Sequence, residues 1–278
     1  MGDKTIDTLI KDVYQLFDDD YHIEIKEENL DTFFCELSQV LKTAFSKKEE
    51  SPPLRFSSLG KPDRQIFLDA SSTVKQKLSG QTKLKFLFGH VIEQLLLFLV
   101  KEAGHIVEHC QAEVSVDGVK GHLDAVIDGV VVDVKSASPI GFEKFSKGKI
   151  FEEDHFGYVA QLAGYADVLT PDEPAAWLAM DKVSGELALT WLPRHVIADN
   201  KPADRIRHQK EILDGPLPPI CYSPVADGKS GNEKLATPCS YCGHKGTCFP
   251  DARLFLYSNG PRWLTKVARV PDVPEVPR

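Results

Sequence analysis

Apolar residues recur at helical spacing over the first 46 positions: Ile6, Leu9, Ile10, Val13, Leu16 and Phe17, then Leu30, Phe33, Phe34, Leu37, Val40 and Leu41. That period predicts two amphipathic helices. Ser46-Lys-Lys-Glu-Glu-Ser-Pro-Pro53 reads as a linker by composition. Helices are expected over Asp63–Lys77 and Lys83–Ala103, the second closed by Gly104 as a C-cap. The period then falls to two. His105–Val116, Val119–Ile127 and Val130–Ala137 are rich in Val and Ile, and Asp117-Gly118 and Asp128-Gly129 separate them. Asp-Gly suits a type I′ turn, which needs positive φ at both central residues, so an antiparallel meander is expected. A helix over Phe156–Leu169, a hairpin from Ala175–Asp181 to Glu186–Leu192, and a helix over Ala203–Leu213 follow. Beyond Pro216 the chain is rich in Pro, Gly and Cys and reads as irregular to its end. The order helix, meander, helix, hairpin is that of an α+β fold.

Composition changes this picture little. The 278 residues are 42% hydrophobic and 27% charged, as in an ordinary globular protein. With 33 Lys+Arg against 41 Asp+Glu the net charge is -8, which argues against coating nucleic acid by bulk charge but allows a local basic groove. No apolar run approaches the ~20 residues of a membrane helix, and the opening MGDKTIDTL has no secretory pattern. A cytoplasmic protein without a membrane partner is expected. Four of the six cysteines, Cys221, Cys239, Cys242 and Cys248, crowd together, which in such a chain reads as metal binding before disulfides.

The segment from Gly121 to Ser138 carries the chemistry. Strand residues two apart share a face, so Asp133 and Lys135 project together while Val132 and Val134 point into a core. Asp124 and Asp133 are equidistant from the Asp128-Gly129 turn and therefore face each other across the hairpin. Asp128 itself is accounted for as the turn residue. Two carboxylates and an amine on one sheet face suit Mg²⁺ or Mn²⁺, with the lysine orienting or deprotonating a water. An isolated Asp133–Lys135 pair would read as a salt-bridged strand surface; Asp124 opposite, with Gly121 before it, favours a site.

Asp124 followed by Asp133-Val134-Lys135 resembles the PD-(D/E)XK nuclease signature. Gln161-Leu-Ala-Gly-Tyr165 resembles the Q-x-x-x-Y motif of its RecB-like branch, and Gly89-His90-Val-Ile-Glu93 resembles the helix that supplies a further metal ligand there. Glu93 fits that pattern better than His90, since Gly-x-x-x-His would need glycine where Phe86 stands. The three blocks span about residues 57–192 in the family's order. The resemblance implies a restriction-endonuclease-like core, a central mixed sheet flanked by helices, over residues 56–215. An N-terminal helical region (1–55) and a cysteine-rich metal-binding lobe (216–278) would flank it. It implies metal ligation by Glu93 or His90, Asp124, Asp133 and the Val134 carbonyl, and catalytic roles for Lys135, Gln161 and Tyr165.

Four thiolates can hold zinc or an iron–sulfur cluster. The spacing of Cys239, Cys242 and Cys248 resembles the C-terminal triad of iron–sulfur RecB-like nucleases, which implies a [4Fe–4S] cluster. Those proteins take a first cysteine from ahead of the core, where Ser57–Arg64 here has none, so Cys221 would replace it. Zinc, with His244 competing as a ligand, is the alternative. Cys35 and Cys110 lie in apolar stretches and are expected in the core. Lys144, Lys147 and Lys149, between strand and Gln161 helix, are candidates for DNA contact, as is Arg64, where the family commonly keeps an arginine. Phe142, Phe145 and Phe156 could stack bases. The implied function is a metal-dependent DNA exonuclease acting on duplex ends or single strands in recombination, repair or phage DNA processing, in the host cytoplasm if phage-encoded. A structure-specific endonuclease and a non-catalytic nucleic-acid-binding module are the alternatives.

Overall fold

The computed structural model describes residues 4–47, 52–72 and 80–277. Along the chain run α1 (Leu9–Gln15), α2 (Glu27–Phe45), α3 (Asp63–Ser71) and α4 (Gly80–Glu102). Five strands follow: β1 (Val107–Glu108), β2 (Glu113–Val116), β3 (Val119–His122), β4 (Ala125–Ile127) and β5 (Val130–Ala137). Then come α5 (Pro139–Ser146), α6 (Tyr158–Leu169), β6 (Ala175–Asp181), β7 (Leu187–Leu192), α7 (Arg194–Asp199) and α8 (Pro202–Asp214). The last segment carries β8 (Val225–Ala226), β9 (Glu233–Lys234), α9 (Thr237–Tyr241), α10 (Lys245–Cys248), β10 (Arg253–Tyr257), β11 (Gly260–Lys266) and β12 (Glu275–Val276). The expected linker and the expected helix at Asp63–Lys77 both fall partly outside the described residues.

The chain divides into two units, Met1–Gly60 with Leu78–Arg207, and Lys61–Lys77 with His208–Arg278. This differs from a division at residues 55 and 215. Ile6, Leu9 and Val13 pack with Ile92, Leu96, Val132 and Val134, so the N-terminal helices share the core of the first unit.

The first unit is α+β, built on a mixed sheet of order β1-β4-β5-β6-β7. Only β5 and β6 run parallel, joined by the crossover through α5 and α6. Helices cover both faces. Val132 and Val134 meet α1 and α4 on one side; Val131 meets Phe142, Phe145 and Leu162 of α5 and α6 on the other. Both-face burial explains the unbroken Val run of β5. The C-terminus of α4 is held as the Gly104 C-cap requires: Gly104 (φ 88) donates to Lys101 O at 2.9 Å and His105 N to Val100 O at 3.2 Å.

Two expectations change here. The stretch His105–Val116 is not one strand. His109 (φ 52) and Gln111 (φ 54) are left-handed and break the ladder, so β2 and β3 form a separate hairpin. Cys35 and Cys110 are exposed rather than buried, because α2 buries none of its residues fully and Cys110 lies in that break.

The second unit is not irregular. It holds a five-stranded sheet of order β12-β10-β11-β9-β8 around Phe255, Leu264 and Leu235. Its central hairpin turns at Ser258-Asn259, with Tyr257 paired to Gly260 and Phe255 to Arg262. Among the described residues, no helix is long and apolar enough to cross a membrane.

Candidate active site

The β4–β5 turn sets the site. Asp128 (φ 50) and Gly129 (φ 83) form the left-handed pair, and the register Ala125↔Val132, Val126↔Val131, Ile127↔Val130 ends one residue short of Asp124, leaving its carboxylate beside β5 near Asp133. Asp124 accepts a hydrogen bond from Val134 N at 2.7 Å. Asp133, 3% exposed, pairs with the Lys135 ammonium on the same strand face. The Asp128 carboxylate does more than turn the chain: it accepts from Ile106 N at 2.9 Å and meets His105 Nδ1 at 2.7 Å.

Glu93 approaches from α4. It is buried, and its carboxylate accepts from Gln111 Nε2 at 2.7 Å and Gln94 Nε2 at 3.3 Å, with His90 Nδ1 at 3.6 Å. Glu93 thus lies deeper than His90, whose side chain is 64% exposed.

Burial pushes Asp124 well above the usual carboxylate range, and the charges of Asp133 and Glu93 add to it. Burial raises Asp133 too, with Lys135 opposing. Burial disfavours the charge of Lys135, yet Asp133 and Asp124 outweigh that and hold it protonated. Three carboxylates share one ammonium, so the cluster is short of positive charge. Its oxygen donors fit a hard divalent cation. The side chains do not themselves converge on a point: among the described residues no three His, Cys, Asp or Glu groups stand close enough to hold one ion. Asp133 is turned to Lys135, Asp124 to the Val134 amide and Glu93 to Gln111.

The α6 motif borders the same cluster. Gln161 hydrogen-bonds Tyr165, whose phenol is pushed up to about 12 by burial and by the nearby Asp133 and Asp124. The Tyr165 ring stacks on Phe56 at 5.1 Å. Gly121 makes this possible, since a Cβ there would meet Phe56 at 2.5 Å and Tyr165 at 2.9 Å. The Asp154 carboxylate fixes the start of α6, accepting from Gly157, Tyr158 and Val159 amides at 2.8–2.9 Å.

Three residues at this site were not expected. Gln111 holds Glu93 and had no sequence signal, being distant in the chain and in a left-handed conformation. Tyr158 lies under the Lys135 ammonium, 4.9 Å from ring centroid to Nζ. Its spacing of three and seven from Gln161 and Tyr165 could have placed it on their helix face. Asp154 carries an N-terminal capping signal of its own.

The basic candidates are compensated. Lys147 and Lys149 both reach Glu143 Oε1, at 2.5 and 3.4 Å, and Lys144 reaches the Glu153 carboxylate at 3.3 Å. Phe142 and Phe145 cannot stack bases, because α5 packs them into the core; Phe156 is exposed.

In the second unit Cys221, Cys239, Cys242 and Cys248 form no disulfide. Burial, with the charges of Cys242, Cys221 and Cys248, raises Cys239 to about 11, so the four lie within electrostatic reach. They too form no ligand group as they stand, yet the donor chemistry fits a thiophilic centre. Arg64 belongs here: its Nε donates to Cys248 Sγ at 3.3 Å and Nη1 to Pro218 O at 2.5 Å. His244 Nε2 meets Asp69 at 2.7 Å rather than the thiols.

Fold and site together define an α+β protein with a mixed, helix-flanked sheet and a buried carboxylate–lysine cluster. No family model matches this sequence, and no curated protein does. Among solved structures the chain aligns with the crystal structure of SSO0001 at 15% identity, covering 78% of this chain and 96% of that one, with a TM-score of 0.41.

Proposed function

We propose that the protein is a divalent-metal-dependent DNA nuclease with a restriction-endonuclease-like core of the RecB-like kind. The observation that carries this reading is the cluster of buried Asp133 and Glu93 and half-buried Asp124 with a single lysine. A scaffold has no use for three carboxylates held away from water around one cation, since the repulsion costs stability. Phosphodiester hydrolysis does have a use for them.

Asp124, Asp133, Glu93 and the Val134 carbonyl would hold Mg²⁺ or Mn²⁺, with His90 as the alternative to Glu93. The ion supplies Lewis acidity and lowers the pKa of a water. The ammonium of Lys135, paired with Asp133 on the same strand face, would orient the water or steady charge on the phosphate. Tyr158 keeps that ammonium over its ring, limiting where it can swing. Gln161 and Tyr165 would contact the strand being cut. Lys144, Lys147 and Lys149 can still meet phosphates, because exposed ion pairs are weak, about 0–1 kcal/mol.

Cys221, Cys239, Cys242 and Cys248 are proposed to hold a [4Fe–4S] cluster, with zinc as the alternative. The group would be a structural staple, and Arg64 would brace it through Cys248 and Pro218 rather than contact DNA.

Action on ends or single strands rests on family resemblance alone. The test is digestion of end-labelled linear DNA and circular single-stranded DNA with Mg²⁺, Mn²⁺ or EDTA. Metal-dependent loss of linear DNA with circles spared is the expected result. Rapid cutting of circles would move the assignment to an endonuclease, and no cleavage of either would leave a binding module.

A further inference from the structure

A cavity of about 390 Å³ lies between α2 and α4 in the first unit. Its size is that of an ordinary small-ligand site, roughly 300–1,000 Å³. Val40 and Ala44 of α2 form one wall, and Phe86 and Leu87 of α4 the other. Gln39, Gln94 and Gln111 supply amides, Lys83 a cation and Glu36 a carboxylate. Glu93 and His90 also line it. Glu93 is therefore shared: it faces this cavity and raises the pKa of both Asp124 and Asp133.

We propose that this cavity is a pocket for one unpaired nucleotide, the one flanking the phosphate presented to the Asp124–Asp133–Glu93 cluster. The proposal deepens the nuclease reading and rests on it. Apolar walls with an exposed aromatic suit the face of a base, because stacking accepts any base. Amide groups suit its hydrogen-bonding edge. Gln94 and Gln111 each spend one N–H on Glu93, which leaves a second N–H and the carbonyl oxygen of each. Lys83 adds positive charge for a neighbouring phosphate in a pocket whose inner wall is anionic. That polarity orients the nucleotide: the base lies along the helices, and the phosphate to be cut is directed to the cation the carboxylates would hold. A stacked base pair is too wide for a cavity of this volume, so the site selects a frayed or single strand.

The test is photo-crosslinking with full-length protein, using single strands that carry 5-iododeoxyuridine at successive positions from one end, with Ca²⁺ replacing Mg²⁺ to hold cleavage off. Crosslinks from one or two adjacent positions should map to Phe86 or to residues 39–44. Phe86→Ala should weaken single-strand binding about tenfold. Phe86 is 55% exposed, so its truncation leaves the fold in place. Ala44→Trp, which fills the cavity, should do the same, while divalent-ion stabilisation against heat stays at the wild-type value in both variants. Crosslinks confined to other surfaces, or wild-type binding by Phe86→Ala, would overturn the pocket. The two readings fail separately: cleavage with crosslinks elsewhere removes the pocket alone, and cavity crosslinks without cleavage in Mg²⁺ or Mn²⁺ remove the nuclease alone.

Discussion

Asp124→Asn should make the metal-free protein more stable and cost it its divalent-ion response. Asp124 sits half-buried and within reach of the Asp133 charge, and Asn keeps an oxygen to accept from Val134 N. At a cross-strand separation of about 5.5 Å and an effective dielectric constant of about 20, two carboxylates repel by about 3 kcal/mol. Lys135 offsets part of this, and proton uptake by Asp124 caps it, so a gain of about 1–2 kcal/mol at pH 7 is expected. The sign with pH follows from the raised Asp124 pKa. The penalty on the wild type is absent below the ordinary carboxylate value of 3.8, and grows as pH rises toward the folded-state pKa. The advantage of the variant should therefore shrink as pH falls through that window. Urea unfolding in EDTA at several pH values measures it. Adding Mg²⁺ at about 100 times its dissociation constant should stabilise the wild type by about 2.7 kcal/mol and the variant by far less. A variant less stable than wild type in EDTA, or one equally stabilised by Mg²⁺, would refute the claim that these carboxylates lack a counter-charge.

Gln111→Ala frees the Glu93 carboxylate from its closest donor and should weaken Mg²⁺ affinity about 10–100-fold without unfolding, read by calorimetric titration. Gly121→Ala drives a methyl into Phe56 and Tyr165 and should cost about 1–3 kcal/mol in urea unfolding; a neutral result would mean the Tyr165 stack gives way freely. Cys239→Ser with Cys242→Ser should lower the melting temperature and DNA binding together, leaving the active-site metal preference unchanged. Anaerobically purified protein should be brown for [4Fe–4S]; colourless protein with stoichiometric zinc refutes the cluster, and wild-type stability without all four cysteines refutes the staple.

Local rules carried much of the site. A type I′ turn at Asp128-Gly129 leaves only one register, so the nearness of Asp124 to Asp133 was readable from their equal distance to it. Period two put Asp133 beside Lys135, and helical period put Glu93 near His90 and Gln161 near Tyr165. These are consequences of backbone geometry over a few residues. What needed the tertiary structure was everything set by distant segments meeting. The parallel β5–β6 pairing buries Asp133 on both sides, which is what turns a polar strand face into a charged cluster. Gln111 reaches Glu93 only because the chain leaves the ladder at His109. Glu143 and Glu153 compensate lysines that read as a basic strip. Arg64 and His244 turn to Cys248 and Asp69, partners far away in sequence. The C-terminal sheet was hidden in the sequence, because its short strands bury too few residues to leave an alternating pattern. Periodicity records which side of an element is buried; it does not record which other side chain waits there.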